Sequence, residues 1–194
     1  VNVVDASNGS HVYSNKAFVP SADGSVAVRI AAGGVYAAIV TKGATAALQS
    51  IYVSVLNTNT LVWGTTTLVV ADYDDTAAFG HLWDTCWLTG SSANFFILYP
   101  RRVLGLSQTK LVYCTINASS VQSVTNSIIF GPPAGHTAPG QSYAVSSFTA
   151  AGNVMMCVAY DDGANTDVFT SFRTATSALT LVLAETETVS NITG

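Results

Sequence analysis

The chain has 194 residues, 49% apolar and only 9% charged, with a formal net charge of −4 at pH 7. A charged share so far below the usual ~25% excludes disorder, which needs charge and few aliphatics. Seven basic residues against 11 acidic ones, with Arg101-Arg102 the one basic pair and Lys110 nearby, exclude a clustered phosphate-binding face.

Residues 1–24 read as a lead-in, with a strand at Val1–Val4 and turn signals at Asn8-Gly9 and Asp23-Gly24. A first unit is expected over 25–80. Ser25–Ala31 alternates, turns at Gly33-Gly34 and continues as Val35–Val40, which is apolar on both faces. Ile51–Leu56 follows as a third strand and Leu61–Ala71 as a fourth, with a break expected at Gly64. The intervening Thr41–Ser50 has room for one helical turn at most.

A second unit, 81–141, repeats the plan with His81–Leu88, Asn94–Tyr99, Leu111–Asn117 and Val121–Phe130. The pair Arg101-Arg102 is expected in a solvated loop after Pro100, and Gly131–Gly140 as an irregular Pro/Gly connector. The third unit, 142–194, contains Tyr143–Thr149, Val154–Tyr160, Asp167–Arg173 and Ala178–Ala184, the last expected to stop near Ala184, before Glu185 and Glu187. In every unit the second strand is apolar on both faces and follows a Gly-containing turn: Gly33-Gly34, Gly90-Ser91-Ser92, Gly152-Asn153. Six such residues are too few for a good helix and fit a strand covered on both sides. The fold class is all-β, built of four-stranded antiparallel meanders.

Repeated meanders with a doubly apolar second strand resemble the blades of β-propellers of the phage-tail, virion or secreted type. The resemblance is one of pattern over residues 25–184, without the repeated Trp-Asp blade signature, the kelch glycine pair at its proper spacing or an Asp-box. Three blades fall below the usual four, so the resemblance implies that more chain or other subunits complete a ring. The alternative is a β-sandwich or jelly roll, which buries one face per strand and accounts less well for Val154–Tyr160.

Residues with chemical potential are few. His11, His81 and His136 have no identifiable partners, and alternation puts His81, Trp83, Thr85 and Trp87 on the face opposite Leu82, Asp84, Cys86 and Leu88. There is no nucleophile elbow, zincin motif or phosphate loop, so no catalytic, metal or cofactor residue is assigned. Cys86, Cys114 and Cys157 read as unpaired small hydrophobes. Asp72, Asp74 and Asp75 form one acidic cluster. Asp161–Asp167 reads as a hairpin turn, with a calcium loop as its alternative, though it lacks the closing Glu. The strand-one pair Trp83 and Trp87 reads as core, with a sugar-stacking platform of Trp63, Trp83 and Trp87 as the alternative. The sequons at Asn8, Asn117 and Asn191 arise by chance in a chain so rich in Ser and Thr.

The function expected is that of a non-enzymatic structural or interaction protein in a larger assembly: a phage tail, a virion or an extracellular filament. Its expected partners are copies of itself or other subunits, with neither nucleic acid nor a membrane span, since no apolar run reaches ~18–20 residues. The alternative is a secreted, lectin-like module binding a surface glycan. The location expected is extracellular or in a virion. The start, VNVVDASNGS, has no initiator Met and no signal-peptide layout, as expected of a processed product or an excerpt.

Overall fold

Short runs rich in Val, Ile, Thr, Tyr and Phe, bounded by Gly, Asn and Asp, favour the pleated backbone. In the computed structural model of this chain they all take it: among the described residues every regular element is a strand, and every pair is antiparallel. The structure describes residues 3–4, 11–12, 25–43, 50–72, 83–103, 106–117, 120–130, 143–150, 153–161, 168–174, 179 and 181–189.

The lead-in contributes a ribbon of β1 (Val3–Val4) and β2 (His11–Val12). A first sheet holds β3 (Ser25–Gly33), β4 (Tyr36–Gly43), β5 (Ile51–Asn57) and β6 (Thr67–Val70). A middle sheet holds β7 (Asp84–Trp87), β8 (Asn94–Val103), β9 (Leu106–Asn117) and β10 (Ser120–Phe130). A third holds β11 (Tyr143–Ala150), β12 (Asn153–Asp161), β13 (Val168–Thr174) and β14 (Leu181–Val189). In each sheet the strands lie side by side in chain order, as meanders do.

Two glycine turns are as the sequence requires: Gly34 has φ +57° and Gly90 +78°, in the left-handed region that side chains with a Cβ resist. The fourth strand of the first sheet is interrupted near Gly64. Trp63 bridges Leu56, and pairing resumes only at Thr67.

Two expectations are corrected. Pro100-Arg101-Arg102 is not a loop: β8 runs through it, pairing Pro100, Arg101 and Arg102 with Thr109, Gln108 and Ser107. Proline is tolerated because, among the described residues, the ladder from β7 ends at Asp84↔Leu98, and no described second neighbour calls on its missing N–H. The last strand does not stop near Ala184 but continues to Val189. It does so by shifting register, with Leu183 opposite Phe172 and Thr186 opposite Thr170, so the run past Leu183 loses the simple alternation on which the expected stop rested.

Among the described residues the largest buried cluster lies between the first and middle sheets. Ala38 and Val40 of β4 and Ile51, Val53 and Val55 of β5 meet Phe95, Ile97 and Tyr99 of β8 and Val112, Cys114 and Ile116 of β9, with Trp83 among them. The opposite face of the middle sheet is equally dry. Phe96, Leu98 and Leu111 are fully buried, and Phe96 meets Tyr113 edge-on at 5.4 Å. Phe95–Tyr99 is thus buried on both faces, each residue at 0–1% exposure, which is what its doubly apolar sequence demands.

Candidate assembly surface

The inner edge strands of the three sheets converge: β7 lies against both β3 and β11. Two seams result, and each is fixed by particular side chains.

At the first seam the Trp87 indole stacks on Phe95, with centroids 6.2 Å apart, and lies against the bare Cα of Gly33. A Cβ there would lie only 2.1 Å from the indole Nε1 and would overlap the ring. The indole N–H donates to the Ser91 carbonyl at 2.8 Å. Ser91 Oγ in turn accepts from the backbone N–H groups of Ala93 (3.1 Å) and Asn94 (2.9 Å), holding the β7–β8 turn that Trp87 reads. Farther along β8, the Tyr99 hydroxyl donates to Asp72 Oδ1 at 2.7 Å. Lys110 Nζ reaches Asp72 Oδ2 at 3.0 Å and sits 5.8 Å from the centre of the Tyr99 ring. Asp72 follows the last strand of the first sheet, so this half-buried cluster pins that sheet to β8 and β9.

The second seam is made by side chains that cap an edge strand. Val145 N–H of β11 donates to Asp84 Oδ2 at 3.0 Å. Two residues on, Ser147 Oγ accepts from Thr89 N–H at 2.8 Å, and the Ser147 carbonyl accepts from Thr89 Oγ1 at 2.8 Å. Backbone groups of the first strand of the third sheet are thereby engaged by the middle sheet, which closes an edge that otherwise invites strand addition.

The far side of the first sheet is also apolar. Ala37, Ile39 and Leu56 are buried there with Trp63 against them, and Ser54 and Thr66 share a hydrogen bond of 2.7 Å. The turn after β5 is closed by Asn57, whose Oδ1 accepts from Asn59 N–H (3.0 Å) and Thr60 N–H (3.1 Å), with Leu61 left-handed at φ 56°. Among the described residues two large apolar side chains are open to solvent, Val62 at 58% and Leu68 at 50% exposure. Leu68 pairs with Tyr52, whose neighbours Ile51 and Val53 face the core.

The three tryptophans do not form a platform. Trp83 is 1% exposed inside the first seam, Trp87 is half-buried beside it, and Trp63 packs on the other face of the first sheet. Alternation correctly places Trp83, Thr85 and Trp87 together, facing Phe95 and Ile97, with Cys86 opposite. Cys86 and Cys114 are free thiols. Burial, then the Asp84 carboxylate, pushes Cys86 from 9.0 up to about 12; burial pushes Cys114 up as well, so both remain neutral and unreactive. His81, His136, Asp74, Asp75 and residues 162–167 of the acidic turn lie outside the described residues, and His11 is placed in β2. Among the described residues no three His, Cys, Asp or Glu side chains gather into a metal-binding group.

The groups that join the sheets, Asp72, Asp84, Thr89 and Ser147, are ones that sequence reasoning did not single out for that role. Their partners lie 27 to 61 residues away, and no local motif signals such a contact. No protein-family model, curated protein or solved structure matches the chain.

Proposed function

We propose that this chain is a non-enzymatic structural or interaction protein, a component of a larger assembly such as a phage tail, a virion or an extracellular filament. It would work by stacking antiparallel sheets face to face in a propeller-like arrangement. The observation that carries this reading is the middle sheet, whose β8 is buried on both faces at 0–1% exposure from Phe95 to Tyr99. Stacking is how this chain hides apolar strands. The first sheet carries the same kind of surface on its far side, where Ala37, Ile39 and Leu56 are buried and Leu68 is exposed, and Val62 is exposed in the loop before Trp63. A low charge supports the same reading, since such a chain has few means of repelling copies of itself.

The test is the mass of the purified chain by light scattering, with electron microscopy of the same sample. A closed oligomer or an extended polymer is expected, and Val62→Lys/Leu68→Lys should weaken it. A well-folded monomer at every concentration would overturn the proposal and favour a self-contained sandwich.

A further inference from the structure

Each sheet has an inner edge at the seams and an outer edge, and the three outer edges differ in ways that decide which can accept another strand. β6 is only four residues long. β14 carries Glu185 and Glu187, and its ladder with β13 shifts register three times. Short length, charge and bulges are the usual means of blunting an edge. β10 is eleven residues long with no charged residue from Ser120 to Phe130, and its two register shifts both fall before Asn126. From Asn126 to Phe130 it pairs with Tyr113–Thr109 in unbroken register. This stretch, Asn-Ser-Ile-Ile-Phe, is rich in strand-forming residues and contains neither Pro nor Gly. Among the described strands β10 pairs with β9 alone, while packing against β5 and β6 holds it in place.

We infer that Asn126–Phe130 of β10 pairs antiparallel with the same strand of a second copy, extending the middle sheet across a two-fold axis. Charge selects the occupant. In a two-fold pairing of one strand with itself, any charged residue brings its own like into the same ladder. β10 has none, whereas β14 paired in this way would gather Glu185 and Glu187 from both copies. The inference rests on the assembly reading above and names its partner.

The experiment uses the full chain: light scattering across a concentration series, with backbone amide exchange over residues 126–130. The wild type is expected to associate, with amides of Asn126–Phe130 protected at high concentration and released on dilution. Asn126→Lys/Ser127→Lys should weaken association about tenfold or more while leaving the circular dichroism spectrum unchanged. Should that variant fail to fold, the exchange result on the wild type decides alone. A wild type that associates with no concentration-dependent protection at 126–130, and that Val62→Lys/Leu68→Lys dissociates, overturns strand pairing and leaves face stacking standing. A wild type monomeric at all concentrations overturns both.

Discussion

The two seams flanking the middle sheet differ in the ties that their described residues show. The first is an apolar interior: Phe95, Ile97 and Tyr99 meet Ala38, Val40 and Val53, with one polar cluster, Asp72–Tyr99–Lys110. At the second, the specific ties are hydrogen bonds from Asp84 and Thr89 to the backbone and side chain of an edge strand. Apolar burial is strong and forgiving of register. Hydrogen bonds to a strand edge are weak in net terms but fix which residue lies opposite which. The buried cluster described at the first seam supplies stability, while the hydrogen-bonded ties described at the second supply alignment.

The largest test of that division is Phe95→Ala. Phe95 is fully buried and contacts both the opposite sheet and the Trp87 ring. Removing it should cost about 3–5 kcal/mol, measured by urea denaturation. A loss under about 1 kcal/mol would mean the first seam is not the main store of stability.

The next effect appears at alkaline pH. Cys86 is raised from 9.0 to about 12 in the folded chain, by burial first and Asp84 second, and Cys114 is raised by burial. The folded state thus keeps protons that the unfolded state gives up. Stability is fully present below pH 9 and falls between 9 and 12, by up to about 1.4 kcal/mol per pH unit for each thiol. Cys86→Ala/Cys114→Ala should flatten the fall in Tm between pH 9 and 10.5. An unchanged slope would assign the alkaline loss to other groups.

The strands were largely legible because their signal is local. The absence of alternation in Asn94–Tyr99 foretells burial on both faces, and Gly34 and Gly90 mark two turns that need positive φ. The common face of Trp83, Thr85 and Trp87 follows from strand period alone. What was not legible depends on distance or on a neighbour's length. Arg101-Arg102 after Pro100 reads as a solvated loop until β9 is seen to pair with it. Asp72 reads as part of an acidic turn until Tyr99 and Lys110, far along the chain, are brought to it. Thr89 and Ser147 are ordinary surface hydroxyls in a chain full of them, and only the packing of β7 on β11 joins them.

Gly33→Ala tests the fit of the first seam rather than its area. The added methyl would overlap the Trp87 indole, which is held by Phe95 and by the Ser91 carbonyl and cannot easily swing aside. A cost of about 1–3 kcal/mol is expected, with a shift in tryptophan fluorescence as Trp87 is displaced. The same substitution at Gly90, where nothing lies within 4 Å, meets only the left-handed backbone and should cost about 1–2 kcal/mol with no change in fluorescence. Equal fluorescence changes in the two variants would sink the assigned role of the Gly33 contact.

The smallest expected effects separate the polar ties at the two seams. Asp72→Asn removes the ion pair with Lys110 while leaving an acceptor for the Tyr99 hydroxyl, at a half-buried position, so about 1 kcal/mol should be lost. That loss should shrink in 1 M salt, which already screens the pair. Thr89→Ala deletes the hydroxyl that donates to the Ser147 carbonyl and accepts from Ser147 Oγ at an exposed site, and global stability should change by about 1 kcal/mol or less. Its effect should instead be local. If these ties supply alignment, amides at the start of the third sheet, around Val145 and Ser147, should exchange faster in Thr89→Ala while those of Phe95–Tyr99 stay protected. Faster exchange in both regions together would mean that the two seams open as one unit, and the division of labour between them would fall.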